Sequence, residues 1–172
     1  MRRLALLVLT AALVTACASQ PDTPDGGSME DPTSTLQQRP SMAEITARYE
    51  QMLQELRDRW ASELGLTTPW VNDGDRGTAG CAEFPDVPGA EKHTLDRWRY
   101  EGGVPDDQWP RALEIADELA ARYGFTEREV VLDRPGDHKV EIRDSFGGTL
   151  QITTKVNAVL RVRTGCHLVQ DG

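Results

Sequence analysis

The sequence predicts an α+β domain in which two amphipathic helices pack on one face of an antiparallel β-meander of about four to five strands. Two observations carry this prediction. Apolar residues recur at helical spacing over residues 41–64 and 109–123, and they alternate with polar residues in short segments between 129 and 168. Turn-forming residues separate those segments, as in a series of hairpins. Residues 41–172 are therefore expected to form one domain.

The first seventeen residues have the layout of a bacterial lipoprotein signal. Arg2 and Arg3 precede an apolar run from Leu4 to Val14, and small residues then lead directly to Cys17. As a helix, this run would span about 16 Å, roughly half of a membrane's hydrocarbon core, so it is too short to cross one. We expect residues 1–16 to be a cleaved signal peptide and Cys17 to carry acyl chains such as palmitate. Ordinary secretory cleavage, which would release a soluble protein, is the alternative.

Acylation of Cys17 predicts a protein attached to the cell membrane on its extracytoplasmic side. The net charge is −9, and the loss of two positive charges, Arg2 and Arg3, makes it −11. Such an acidic chain is a poor partner for nucleic acid or anionic lipid, so the acyl chains would have to hold it at the membrane. An envelope protein or an anionic wall polymer is the expected further partner.

The cysteine pattern agrees with an oxidising compartment. If Cys17 is acylated, Cys81 and Cys166 are the two cysteines that remain. Outside the cytoplasm, such a lone pair favours a single disulfide.

Residues 17–40 are expected to be a disordered stalk, because residues 18–40 contain four prolines and almost no large apolar side chain. Ser41 and Glu44 then form a capping-box pattern, and Gly65 marks the end of the following helix. The apolar face of this helix comprises Ile45, Tyr49, Met52, Leu53, Leu56, Trp60 and Leu64. We favour packing on the domain's own core, and docking of a detachable helix on a partner is the alternative.

Residues 66–92 are rich in glycine, proline and aspartate and are expected to form a long loop pinned by Cys81. Within this loop, residues 72–77 resemble a calcium loop in composition. However, Gly74 and Arg76 would occupy two of the ligand positions, and neither side chain can bind calcium. No metal site and no cofactor is therefore predicted.

A strand is predicted at Leu95–Glu101. The second helix should begin near Trp109, with Asp106 or Asp107 as its N-cap, and end at Gly124. Four strands should follow, at residues 129–132, 138–143, 149–155 and 158–168.

Alternation gives these strands one apolar and one polar face. The apolar face carries Val140, Ile142, Leu150, Ile152, Leu160, Val162, Cys166 and Leu168. The polar face carries a basic strip, offset mainly by Glu141, that consists of Lys139, Arg143, Lys155, Arg161, Arg163 and His167. This strip is a candidate face for an anionic ligand, and the alternative is the ordinary water-exposed side of an antiparallel sheet.

No catalytic residue is predicted. Ser62 and Ser145 lack the surroundings of a nucleophile elbow, and the three histidines lack the spacing of a zinc site. A small envelope hydrolase that uses a cysteine–histidine pair is the alternative, but it needs a free thiol and so excludes the disulfide. The favoured function is therefore a non-enzymatic binding or adaptor domain.

Several features together resemble the mycobacterial LppA-type lipoproteins and related actinobacterial lipoproteins. They are the signal that ends at Cys17, the proline-rich stalk, the two widely spaced cysteines, and a Trp109-Pro110 helix that leads through Tyr123-Gly124-Phe125 into a strand meander. The resemblance covers residues 1–17 and about 41–172. It implies a cell-envelope location and an α+β domain without an established activity, so no catalytic residue can be carried over.

Overall fold

A computed structural model of the chain describes residues 31–169. The predicted signal peptide, Cys17 and the first part of the stalk lie outside the described residues. Residues 31–169 form three helices and a nine-stranded sheet whose strands pair antiparallel. The α+β class is thus confirmed, whereas the predicted four to five strands are too few.

The helices are α1 (Pro32–Gln37), α2 (Met42–Leu64) and α3 (Trp109–Arg122). The strands are β1 (Val71–Asn72), β2 (Gly77–Gly80), β3 (Ala90–Thr94), β4 (Trp98–Glu101), β5 (Phe125–Arg134), β6 (Asp137–Asp144), β7 (Thr149–Thr154), β8 (Asn157–Arg163) and β9 (His167–Leu168). Six strands lie in the order β1-β4-β8-β7-β6-β5, and β3 pairs with β2, with the end of β8 and with β9. None of the helices described is long and apolar enough to cross a membrane.

The core lies between the sheet and α2 and α3, as the two-layer prediction requires. The capping box of α2 is present, since Ser41 N donates to Glu44 at 2.8 Å and Glu44 N donates to Ser41 Oγ at 3.3 Å. Apart from the partly buried Leu64, the apolar face of α2 is buried, and Trp60 Nε1 donates to the carbonyl of Ala112 in α3 at 3.2 Å. The facing side chains of the sheet are at most 1% exposed, and they are Val140, Ile142, Leu150, Ile152, Leu160 and Val162. The helix therefore belongs to the domain's own core.

The additional strands lie where the sequence offers little alternation. Strands β1 and β2 fall within the predicted loop 66–92, and every residue in both is exposed. The predicted strand 158–168 is divided into β8 and β9 at Gly165, where the carbonyl oxygen of Phe146 approaches so closely that a Cβ would lie 1.9 Å from it. Only glycine allows this approach.

The predicted N-cap of α3 is wrong. Gln108 occupies the cap position without a side-chain cap hydrogen bond. Asp106 instead accepts a hydrogen bond from Gly136 N at 2.9 Å and bonds to His138 Nε2 at 3.0 Å. The carboxylate thus joins the segment before α3 to the β5–β6 turn, a partner that local sequence cannot reveal.

The end of the predicted stalk is folded. Leu36 of α1 is 1% exposed and packs with the disulfide, Val87 and Ala90 in a second, smaller core. Arg39 donates to the carbonyl of Cys166 at 3.0 Å and stacks over Phe84. The prediction of disorder is therefore wrong for residues 31–40, because their few apolar and cationic side chains find partners far away in sequence.

Candidate functional site

Cys81 and Cys166 form a disulfide, with their Cα atoms 5.8 Å apart. Both cysteines are buried, and they belong to the second core that also holds α1. Because neither sulfur is a free thiol in this state, the pair offers no nucleophile for the hydrolase alternative.

Each of the three histidines has at least one ring nitrogen bonded to a carboxylate or to a carbonyl. His93 Nε2 lies 2.9 Å from Glu91, and His167 Nδ1 lies 2.8 Å from the carbonyl of Pro40. His138 bonds to two acids, with Nδ1 2.6 Å from Asp133, and its ring stacks on a tryptophan of α3. Burial alone would lower the pKa of His138, but its two carboxylate partners raise it. Within residues 31–169, no group of three or more His, Cys, Asp or Glu side chains is arranged to hold a metal ion.

The predicted basic strip is largely neutralised by the domain's own acids. Its ion pairs are Lys139 with Glu141 (3.4 Å), Arg143 with Glu129 (2.7 Å), Lys155 with Asp137 (3.2 Å) and Arg161 with Asp75 (2.9 Å). Arg163 is exposed and has no ion pair within the part of the chain described. Placing His167 on this face was wrong, because its ring is fully buried and burial lowers its pKa. A ligand on this face would therefore compete with existing ion pairs for most of the cations.

A groove beside α2 contains a cation, Arg57, that is not paired with any of the domain's own carboxylates among the described residues. Four adjoining cavities of about 480, 440, 250 and 290 Å³ follow the helix and share lining residues with one another. We call this depression the α2 groove. Its helix side is lined by Met42, Thr46, Glu50, Gln54 and Arg57, and its sheet side by Arg76, Thr78, His93, Asp96 and Trp98.

Arg76 crosses the α2 groove. Its guanidinium pairs with Glu50 on the helix and, at 3.0 Å, with Asp96 in the loop after β3. Glu50 and Asp96 are therefore already paired with a cation, and the Arg76 side chain is about half exposed. The bridge separates the wider cavities near the start of α2 from the narrower ones near Arg57.

Arg57 is the unusual residue of the groove. It is 6% exposed, and its Cζ lies 3.7 Å from the centroid of the Trp98 ring. Its Nη2 donates to Gln54 at 2.6 Å, whereas its buried Nη1 has no hydrogen-bond partner within residues 31–169. Burial lowers the pKa of Arg57 to about 10, against the opposing effect of Asp58. The guanidinium remains charged at neutral pH without a carboxylate in contact.

Sequence reasoning missed this site although a signal was present. Arg57 follows Leu53 by four residues and precedes Trp60 by three, which places it on the apolar face of the helix. An arginine at such a position must either be paired or be available to a ligand. The aromatic partner, Trp98, was predicted only as part of the strand Leu95–Glu101.

Comparison with known proteins adds a family and a fold. The family model of LppA, described as a lipoprotein confined to pathogenic Mycobacterium, matches residues 18–170. The crystal structure of the putative lipoprotein LppA from Mycobacterium tuberculosis is similar, with a TM-score of 0.59 and 15% identity over 80% of this chain and 84% of that one. A DUF4853 family protein from Actinomyces odontolyticus ATCC 17982 has a TM-score of 0.54 and 13% identity over 80% of this chain and 74% of its own. No curated protein matches the chain.

Proposed function

Because this chain belongs to the LppA lipoprotein family, we propose that it is a lipid-anchored binding domain of the cell envelope. Acyl chains on Cys17 hold it on the extracytoplasmic side of the membrane. Its activity is non-enzymatic, and the α2 groove receives the ligand. The observation that supports binding best is the buried, unpaired charge of Arg57 in an open groove.

The disulfide supports an extracytoplasmic location, since such bonds persist in oxidising compartments. The folded segment 31–40 supports a short tether. Only the residues between Cys17 and Asp31 separate the acyl chains from the domain, and fully extended they would span at most about 50 Å. The groove therefore operates close to the membrane, within reach of wall polymers and other envelope components.

The anchor is tested by expressing the full-length chain in a bacterium that processes lipoproteins. We expect the detergent-extracted protein to begin at Cys17 with added acyl mass and to gain two hydrogens on reduction of the disulfide. The Cys17→Ser variant should lose the acyl mass and membrane retention, whereas Ser19→Ala should behave as wild type. An unprocessed, unacylated protein recovered from the cytosol would contradict the proposed anchor.

The groove is tested by blocking it. Ala47 is exposed and lines the 480 Å³ cavity, so Ala47→Trp should obstruct the α2 groove with little effect on the core. Ala121→Trp on the exposed side of α3 is the matched control, and Arg163→Glu tests the sheet face. We expect Ala47→Trp alone to weaken binding of solubilised anionic wall polymer by about tenfold or more.

If Arg163→Glu weakens this binding and Ala47→Trp does not, the ligand lies on the sheet face and the groove is not the site. If wall polymer and phospholipid vesicles both fail to bind the wild-type protein, an envelope protein becomes the expected ligand. In that case the same three variants are compared by crosslinking in intact cells, and equal crosslinking by all of them would reject the α2 groove.

A further inference from the structure

We propose that the pocket around Arg57 binds a carboxylate or phosphate group, so that the ligand of the α2 groove is anionic. This inference rests on the proposed binding function and names the chemistry of its ligand. Two adjoining cavities, of about 250 and 290 Å³, both include Gln54, Arg57 and Trp98 in their walls. Together they have the volume of a typical small-ligand site.

The nearby acids do not neutralise Arg57. Glu50 and Asp96 pair with Arg76, as described above. Asp58 accepts a hydrogen bond from Gln54 Nε2 at 2.8 Å, and its effect on Arg57 is weaker than the opposing effect of burial. With a pKa of about 10, Arg57 is uncharged in only about one molecule in a thousand at pH 7. An anion is the partner that both completes the hydrogen bonding of such a buried cation and neutralises its charge.

The pocket contains a second buried hydrogen-bond donor without a partner in the described part of the chain. The indole nitrogen of Trp70 is buried and has no hydrogen-bond partner within residues 31–169. Trp70 lines the 290 Å³ cavity together with Arg57, Thr67 and Thr68. Its ring is held by Trp60 and Tyr100, with centroids 6.0 and 5.4 Å away. The pocket thus combines a fixed N–H donor, a guanidinium and hydroxyl groups.

This set of groups selects for an anion over other ligands. A carboxylate or phosphate oxygen can accept a hydrogen bond from either unpaired donor, and its negative charge neutralises the guanidinium. A neutral ligand would leave the charge unpaired, and a cation would be repelled. Both donor nitrogens are shielded from water, so part of the pocket wall must shift for the anion to reach them. The aromatic walls, Trp98 and Trp70, leave room for an apolar or ring-shaped remainder of the ligand.

The test uses inorganic phosphate and acetate as probes on the full folded domain, with melting temperature and tryptophan fluorescence as readouts. We expect saturable stabilisation of the wild type by these anions at constant ionic strength, relative to chloride. Arg57→Met, which keeps the packing of the side-chain stem, should weaken phosphate affinity by about tenfold or more. Arg57→Lys should retain part of the affinity, and Arg59→Met, a neighbouring arginine paired with Glu63, should remain within about twofold of wild type.

Trp70→Phe is a second variant, which removes only the indole donor and keeps an aromatic ring. It should weaken anion binding by about threefold or more without loss of the fold. The proposal is overturned if the wild type shows no saturable response to either anion, or if Arg57→Met binds as well as wild type.

Two further arms identify the source of the anionic group. Phosphatidylglycerol vesicles present a lipid phosphate, and solubilised wall polymer presents carboxylates and phosphates. If inorganic phosphate displaces the bound vesicles or the bound wall polymer, and Arg57→Met abolishes that binding, the anion pocket is supported. The ligand that behaves in this way is then the source of the anionic group. If Ala47→Trp blocks wall polymer but Arg57→Met does not, the groove binds its ligand without this pocket, so the proposed function stands while the anion site is rejected.

Discussion

Removal of the disulfide should destabilise the domain strongly. The bond joins residues 85 apart in sequence, and closure of such a loop lowers the entropy of the unfolded chain by an amount worth about 4.6 kcal/mol at 25 °C. A range of about 2–5 kcal/mol is typical for native disulfides. For a domain of this size, 1 kcal/mol corresponds to about 3 °C, so the melting temperature should fall by about 6–15 °C.

The assay compares thermal and urea unfolding, both followed by circular dichroism, for the oxidised protein, the reduced protein and a Cys81→Ser/Cys166→Ser variant. The reducing agent should have no effect on the double variant, which serves as the control. A local readout is available as well, because Leu36 and Arg39 pack against the disulfide. Amide exchange in α1 should accelerate more than exchange in α3 when the bond is reduced. Coincident midpoints for oxidised and reduced protein would refute the reasoning.

Three further changes probe single contacts. The buried Tyr49 hydroxyl donates to the Asp144 carboxylate, so Tyr49→Phe should lower the free energy of unfolding by about 1–3 kcal/mol in urea titrations, and an unchanged value would contradict this. Leu36→Ala should lower it by about 2–5 kcal/mol, whereas exposed Gln37→Ala should not, and equal effects would mean that α1 is not docked. Because folding raises the pKa of His138, its contribution to stability is complete below the unfolded value near 6.5 and is lost as the pH rises through the folded pKa. An NMR titration of the ring should show the raised pKa, and this loss of stability should be absent in His138→Gln.

The sequence predicted those elements whose signals are local. Helix α2 carries its cap, its apolar face and its terminal glycine within one segment of chain, and the glycine has the expected left-handed conformation with φ of 70°. Strands β6, β7 and β8 alternate between buried and partly exposed residues, so the bounds of β6 and β7 and the start of β8 lie within one residue of the prediction. These patterns follow from backbone geometry and hold in any tertiary context.

The features that escaped prediction depend on distant partners. Helix α1 has a single buried side chain, Leu36, and that side chain is covered by a disulfide whose cysteines lie far along the chain. His167 follows the strand alternation of its neighbours but is separated from β8 by Gly165, so alternation no longer determines its face. The candidate site depends on the stacking of Arg57 in α2 over Trp98 in β4. The local sequence of neither element predicts this contact.

The free energy of unfolding of an Arg57 variant can distinguish a binding role of this residue from a structural role. Burial lowers the pKa of Arg57 below that of a free arginine, to about 10, so the buried charge costs stability at every pH below about 10. Stacking on Trp98 and packing of the side-chain stem offset part of this. Methionine retains the packing and removes the buried charge, so Arg57→Met should leave the free energy of unfolding at pH 7 unchanged or raise it, while Arg59→Met changes it by less than about 1 kcal/mol. A residue kept for the fold would behave in the opposite way, and a loss of more than about 2 kcal/mol in urea titrations of Arg57→Met would show that Arg57 serves the structure and not a ligand.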